Sequence, residues 1–168
     1  MIQADSLTAF LVDFGLARLF RNPATHLHIP HSTDHPIIGT LPFTSINGQQ
    51  GHAQSRRNDL ESFVYTIIFS ACSTLPWTRL TNKQAILEKK LSITAEQLCK
   101  GLPTLFCKFF IYVRSLGFDE KPNYQYLHSI LSQCLQAESD QPDKTLLFSS
   151  SACSTVALDS APVLSSRM

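Results

Sequence analysis

The segment LESFVYTIIFSAC, residues 60–72, constrains the fold more than any other stretch of this sequence. Its apolar residues occur on every side of a helical wheel, so a helix formed by it would need cover on all sides. Asn58 and Glu61 stand at the spacing of a capping box at its beginning, which predicts a helix start there. The sequence therefore predicts a buried central helix.

Further helices are predicted after this segment. A polar helix covers about residues 82–91, and Thr94 and Gln97 repeat the capping-box spacing for a short helix that stops at Gly101. Two apolar stripes with helical spacing follow, which are Leu105, Phe106, Phe109, Phe110 and Val113, and then Leu127, Ile130, Leu131, Cys134 and Leu135. Together these patterns predict a mainly α fold, in which a helical bundle surrounds the central helix.

The two ends of the chain have a different character. Phe10, Leu11 and Val12 predict a short buried strand that ends at Asp13. Proline and glycine punctuate residues 22–55, and a loop of this length within a compact domain is usually functional. Residues 136–168 are rich in serine and poor in aromatic residues, which predicts a disordered tail. We therefore expect one domain over residues 1–135 and a tail over residues 136–168.

Composition excludes several classes of partner. The chain has 168 residues and a formal net charge of +1, too small to attract nucleic acid or an anionic membrane surface. No apolar run approaches the roughly 20 residues of a membrane-spanning helix. The five cysteines form no C-x-x-C pair, which favours reduced thiols. The sequence predicts a cytoplasmic or nuclear protein.

The tripeptide Asp13, Phe14, Gly15 follows the predicted strand directly. A carboxylate at a strand end, beside a glycine that permits a sharp turn, is well placed to hold Mg²⁺ against phosphate oxygens. The tripeptide alone is weak evidence, but DFGLAR, THLHIP, GTLPFTSIN, SRRNDLESFVYTIIF and LPW follow one another in order. With this context the chain resembles the second half of a protein kinase catalytic domain, and more narrowly the casein kinase 1 family of Ser/Thr kinases, over about residues 11–135.

The resemblance implies a protein-kinase-like C-terminal lobe without its N-lobe, and it assigns roles to individual residues. Asp13 corresponds to the acid that binds the Mg²⁺ bridging the ATP phosphates, and Phe14 to the switchable packing residue beside it. Gly39 and Thr40 correspond to the activation segment, whose threonine hydrogen-bonds the catalytic loop. Asp59 corresponds to an acid that accepts backbone N–H groups from that loop, and the helix dipole also favours a structural anchor there.

Departures from the family pattern bear on activity. The residues before Asp13, MIQADSLTAFLV, contain no H-R-D motif, no glycine-rich loop and no lysine. Phosphoryl transfer depends on these parts, so we expect the chain by itself to be catalytically silent. Asp13 alone offers one carboxylate, and we expect it not to retain Mg–ATP. Pro42 stands where the family has an arginine that contacts phosphorylated or acidic substrate sequence. For Arg56 and Arg57, a pair of solvated side chains before a helix is the simpler interpretation.

Four histidines lie within ten residues, at positions 26, 28, 31 and 35. Imidazoles this dense could bind Zn²⁺ or Ni²⁺. The family's loop carries the His-x-His-Ile-Pro core without being a metal site, and no cysteine is nearby to complete a structural zinc site. We therefore expect no zinc.

Three hypotheses about function remain open. The first is a silent, pseudokinase-like module that binds proteins through its activation-segment face. The second is part of an active Ser/Thr kinase whose N-lobe is missing from this sequence or supplied by another polypeptide. The third is a metal-binding protein that uses the histidine loop.

Overall fold

The computed structural model describes residues 2–3, 8–9 and 11–139. The chain divides into two compact units, residues 1–30 and 31–168. Among the described residues, no helix combines the length and the hydropathy needed to cross a bilayer.

The first unit begins with a short antiparallel pair of strands, β1 (Ile2–Gln3) and β2 (Thr8–Ala9). Leu11 and Val12 come after this pair in irregular backbone, and they are 83% and 53% exposed. The predicted buried strand is therefore wrong at these two residues, whereas Phe10 lies outside the described residues. A strand needs a neighbour for its backbone groups, and β1 and β2 pair with each other rather than with residues 11–12.

The rest of the first unit is a turn-rich loop. Phe14–Leu16 forms one turn of 3-10 helix. Further on, Asn22 Oδ1 accepts hydrogen bonds from the N–H groups of Ala24 and Thr25, at 2.8 and 3.1 Å. These bonds fold the chain back on itself, so that Arg21 and His28 form an isolated antiparallel bridge.

The second unit is helical, and it confirms the mainly α prediction. Its helices are α1 (Ile46–Gln49), α2 (Arg56–Cys72), α3 (Lys83–Ser92), α4 (Ala95–Leu98), α5 (Thr104–Ser115) and α6 (Tyr124–Ser139). The single-turn helix α1 was not predicted, and it interrupts the predicted long loop. The predicted tail begins at residue 136, α6 continues to Ser139, and residues 140–168 lie outside the described residues, so the domain division stays a prediction.

The N-cap of helix α2 lies three residues earlier than predicted. This N-cap is Ser55, whose N–H donates to Asn58 Oδ1 at 2.9 Å. Asn58 is therefore the third helical residue of a Ser55–Asn58 capping box, and the predicted pairing of Asn58 with Glu61 is wrong. Asn58 Nδ2 also donates to Ser45 Oγ at 2.9 Å, which ties the start of α2 to the start of α1.

The predicted burial of this helix on every side is also wrong. Val64 and Tyr65 are fully buried, whereas Phe63 and Phe69 remain 44% and 36% exposed. Polar residues also occupy the exposed side, where the Thr66 hydroxyl donates to Ser62 O and the Ser70 hydroxyl to Thr66 O, both at 2.9 Å. A helix can satisfy such hydroxyls internally and leave that side in water.

The two amphipathic helices pack as their stripes predicted, except that Leu135, the last member of the second stripe, is 63% exposed. The buried members are Phe106, Phe109, Phe110 and Val113 on α5, and Leu127, Ile130 and Cys134 on α6. The predicted capping box at Thr94 and Gln97 is confirmed at the start of α4. Four cysteines of the described part are free thiols, namely Cys72, Cys99, Cys107 and Cys134.

Candidate functional site

The Asp13 carboxylate is turned back onto its own chain. Asp13 adopts a left-handed backbone conformation with φ 64°, and its Oδ1 accepts a hydrogen bond from the Gly15 N–H at 3.2 Å. Both residues are exposed, and the Phe14 side chain beside them is 66% exposed. This arrangement is a local turn that satisfies the carboxylate with a neighbouring amide.

These residues do not fit a metal site by themselves. Within the described part of the chain, no three His, Cys, Asp or Glu side chains converge on a point where a cation could bind. Mg²⁺ is usually held by one or two carboxylates together with substrate phosphates. Asp13 offers one carboxylate, so no step of Mg–ATP chemistry follows from this geometry.

The second unit contains Gly39, Thr40 and Asp59. Gly39 has φ 94°, a conformation that favours glycine, and Thr40 next to it is exposed. The Thr40 carbonyl accepts the N–H of Phe43 at 2.9 Å, which closes a turn. Asp59 lies in the first turn of α2 and is exposed, although protein atoms around its carboxyl exclude enough water to raise its pKa.

Buried side chains donate hydrogen bonds to the segment after Thr40, residues 41–49. Lys90 of α3 is fully buried, and its Nζ donates to Leu41 O at 2.9 Å, to Thr44 O at 2.6 Å and to Gln49 Oε1 at 3.1 Å. The indole N–H of Trp77 donates to Pro42 O at 2.8 Å. Two side chains therefore supply donors to one short stretch of backbone.

Aromatic rings and charged groups surround this buried ammonium. Its Nζ lies 5.3 Å from the ring centre of Tyr65 and 5.4 Å from that of Trp77, within cation–π range. Burial lowers the pKa of Lys90 to about 8, opposed by the nearby charge of Glu61 and reinforced by that of Arg114. The aromatic faces and the carbonyl oxygens offset part of the cost of burying the charge.

Glu61, Tyr65 and Arg114 form a second polar cluster beside it. The Tyr65 hydroxyl donates to Glu61 Oε1, and Arg114 Nε lies 3.7 Å from the same oxygen. Arg114 Nη2 donates to the Tyr65 hydroxyl at 3.2 Å and to Lys90 O at 3.0 Å. Burial, and then the charge of Glu61, raise the pKa of Tyr65 well above its usual value. The cluster links α2, α3 and α5.

The first two residues of α2 are arginines, and their side chains donate hydrogen bonds to the backbone that follows α5. Arg56 Nη2 donates to Asp119 O at 2.8 Å, and Arg57 Nη1 donates to Leu116 O at 3.2 Å. The guanidinium of Arg57 also lies 5.8 Å from the ring centre of Phe118. The expectation of a solvated pair is therefore wrong, since both side chains bind backbone carbonyls.

The histidines of the loop have separate partners. His28 Nδ1 lies 2.8 Å from Ile29 O, and His35 Nε2 lies 2.7 Å from the Ser32 hydroxyl. His31 Nε2 pairs at 3.1 Å with Nδ1 of His52, a residue that the histidine pattern did not include. His26 has φ 57° and is exposed.

Comparison with known proteins shows what the chain is similar to. No family model matches the chain. Casein kinase I homolog 2 of Schizosaccharomyces pombe is 41% identical over 140 residues, which are 80% of this chain and 32% of the relative. A probable casein kinase I homolog of Encephalitozoon cuniculi is 41% identical over 141 residues, which are 80% of this chain and 46% of the relative.

The chain is casein kinase 1-like. It spans less than half the length of these curated relatives. In this casein kinase 1-like chain, Asp13, Phe14 and Gly15 lie in the first unit, whereas Gly39, Thr40 and Asp59 lie in the second. The roles that the family resemblance assigns to these residues stay predictions.

Sequence reasoning missed the interior of the casein kinase 1-like second unit, above all Lys90 and Trp77. A signal for Lys90 existed, because Ile86 stands four residues before it and Ile93 three residues after it in the sequence, and all three are buried. A buried tryptophan also needs an acceptor for its N–H. The identity of the acceptors, Leu41, Pro42 and Thr44, could not be read from spacing because they lie more than 30 residues away in sequence.

Proposed function

We propose that this casein kinase 1-like chain is a protein-binding module that is catalytically silent as a lone polypeptide. It contacts a protein partner through Gly39, Thr40 and the adjoining 41–49 segment, which correspond by resemblance to a kinase activation segment. The observation that carries the proposal is the contrast between these residues and Asp13. Buried donors hold the 41–49 segment, whereas the Asp13 carboxylate is exposed and bonded to its own turn.

We expect no catalysis by the lone polypeptide because its sequence lacks most of the groups that phosphoryl transfer requires. Phosphoryl transfer needs a base or positioning residue, a lysine on the phosphates and two metal ligands held in place together. The 168-residue sequence contains neither an H-R-D motif nor a glycine-rich loop. Asp13 supplies at most one of the required groups, and removal of a single such group already costs orders of magnitude in rate.

The name of the relatives suggests casein as the first protein to test. Binding of fluorescently labelled, dephosphorylated casein is titrated with the wild-type chain, with Thr40→Glu and with the matched control Thr81→Glu. Both threonines are exposed, so the two substitutions place the same charge on the surface. We expect Thr40→Glu to weaken binding at least tenfold more than Thr81→Glu does. Equal effects of the two substitutions, or no binding by the wild-type chain, would contradict the proposal.

A second candidate function is that the chain forms the C-terminal part of an active Ser/Thr kinase. It is favoured by the exposed side of α2, where Phe63 and Phe69 are in contact with water, and by the greater length of the relatives. The test is co-expression with the N-terminal remainder of the Schizosaccharomyces pombe relative. Phosphate transfer by the purified pair that is lost in Asp13→Ala would favour this candidate over the silent module.

A further inference from the structure

Lys90 places a charged group at a core position that an apolar side chain could also fill. Its neighbours at helical spacing, Ile86 on α3 and Ile93 directly after the helix, are buried apolar residues. Burying an ammonium costs several kcal/mol unless good partners compensate, and an apolar residue of similar size often serves a core equally well. The three hydrogen-bond acceptors of Lys90 are neutral oxygens, namely two backbone carbonyls and one side-chain amide oxygen. What the ammonium adds is a set of donors that converge on one segment.

The part of that segment before α1, residues 41–45, depends on these donors because it has little regular structure of its own. Between Thr40 and α1 its internal bonds are the turn bonds of the Phe43 and Thr44 N–H groups to Thr40 O and Leu41 O. The carbonyls of Pro42 and Thr44 accept hydrogen bonds from Trp77 and Lys90, respectively, and the Leu41 carbonyl accepts one from Lys90 in addition to that from the Thr44 N–H. A buried carbonyl without a partner is destabilising, so loss of these donors would favour opening of the turn.

We propose that Lys90 is a positioning residue, whose side chain, together with the indole N–H of Trp77, holds the 41–49 segment in one conformation before any partner binds. That this segment is a protein-contact face rests on the proposed function, whereas the positioning itself does not. A preformed segment pays no ordering cost on binding, so it binds a partner more tightly than the same segment would if it ordered on contact.

Amide hydrogen exchange of the full 168-residue chain tests the positioning. Lys90→Met keeps the apolar stem and removes the donors, and Lys89→Met is the matched control, because Lys89 is the exposed neighbour on the same helix. We expect Lys90→Met to lower the protection factors of the Phe43, Thr44 and Gln49 amides at least tenfold more than those of α5. We expect Lys89→Met to change neither set by more than about twofold.

A purely stabilising role of Lys90 predicts a different result. Ile130→Val serves as the reference for general destabilisation, because Ile130 is buried on α6 and forms no part of the 41–49 segment. If Lys90→Met lowers the protection of the segment and of α5 equally, as Ile130→Val should, or leaves the segment unchanged, the positioning role is overturned.

A second variant covers the case in which Lys90→Met does not fold. Trp77→Phe keeps a large ring but removes the donor to Pro42 O, and we expect it to lower the same segment amides selectively. If it leaves them protected, the proposal is overturned as well.

Casein binding by the same variants separates the two proposals. A loosened segment with unchanged casein binding contradicts the protein-contact function, while the selective loss of protection still supports positioning by Lys90.

Discussion

At the scale of single residues, the most important side chain is that of Lys90, whose burial is not evident from the sequence. Lys89 and Lys90 are adjacent, yet Lys89 is exposed and Lys90 is fully buried. A lysine on an apolar stripe usually runs its stem along the surface and keeps its charge in water. Sequence reasoning therefore predicted a polar helix here, which is right for α3 as an element but misses the residue that reaches the 41–49 segment.

The lowered pKa of Lys90 should change how the free energy of unfolding depends on pH. Burial lowers the pKa of Lys90 to about 8 in the folded chain, against 10.5 for the ordinary side chain. Between these values the unfolded chain binds more protons than the folded chain, so this group raises the free energy of unfolding as pH rises. Below about pH 8 its unfavourable contribution is fully present. We expect the wild-type chain to gain about 1 kcal/mol relative to Lys90→Met between pH 7 and pH 9.

Denaturant titrations of both chains at the two pH values measure this gain. The comparison with Lys90→Met is needed because burial raises the pKa of Cys99 to about 12, and that thiol lowers stability above its ordinary pKa near 9 in both chains. A difference between the two chains that does not change with pH would show that Lys90 titrates normally.

The histidine loop gives another prediction at this scale. We expect calorimetric titration of the wild-type chain at neutral pH to detect no stoichiometric Zn²⁺ site, because structural zinc needs about four converging ligands. The rings of His31 and His35 instead lie within hydrogen-bond distance of His52 and Ser32, respectively. His26→Ala/His28→Ala is the comparison chain. A micromolar site that disappears in this variant would revive the metal-binding hypothesis.

At the scale of elements, the sequence predicted where helices lie better than where they start. The stripes of α5 and α6 and the cap of α4 are local patterns, and the structure confirms them apart from Leu135 at the end of the α6 stripe, which is exposed. Ser and Asn are both preferred N-cap residues, so the capping pattern alone could not choose between Ser55 and Asn58 as the cap of α2. The strand predicted before Asp13 failed because strand formation depends on a partner elsewhere in the chain.

Asn58 should therefore be a strong determinant of stability. It accepts the Ser55 N–H and donates to Ser45 Oγ, and it is 1% exposed. We expect Asn58→Ala to lower the free energy of unfolding by about 2–3 kcal/mol, since it removes a cap and leaves a buried hydroxyl short of a partner.

The matched control is Asn82→Ala at the exposed N-cap of α3, for which we expect about 1 kcal/mol. Denaturant titration measures both changes. A smaller loss at Asn58 than at Asn82 would mean that the link between α1 and α2 adds nothing to stability.

At the scale of the whole molecule, the candidate residues of the two units differ in how many contacts with the rest of the protein hold them in place. The 41–49 segment rests on buried donors from α3 and from Trp77, whereas Asp13 stands in an exposed turn of the other unit. Family resemblance predicted which residues to examine. It could not predict this contrast, because hydrogen bonds between distant residues are set by packing and not by motif order.

The most direct test of the account is transfer of radiolabelled phosphate from ATP to casein by the purified 168-residue chain, with Asp13→Ala as the comparison. The account predicts that the two chains give the same background signal, because a single exposed carboxylate cannot position Mg–ATP without the other catalytic groups. Transfer by the wild-type chain above that of Asp13→Ala would contradict it, and would show that this polypeptide holds a working catalytic centre.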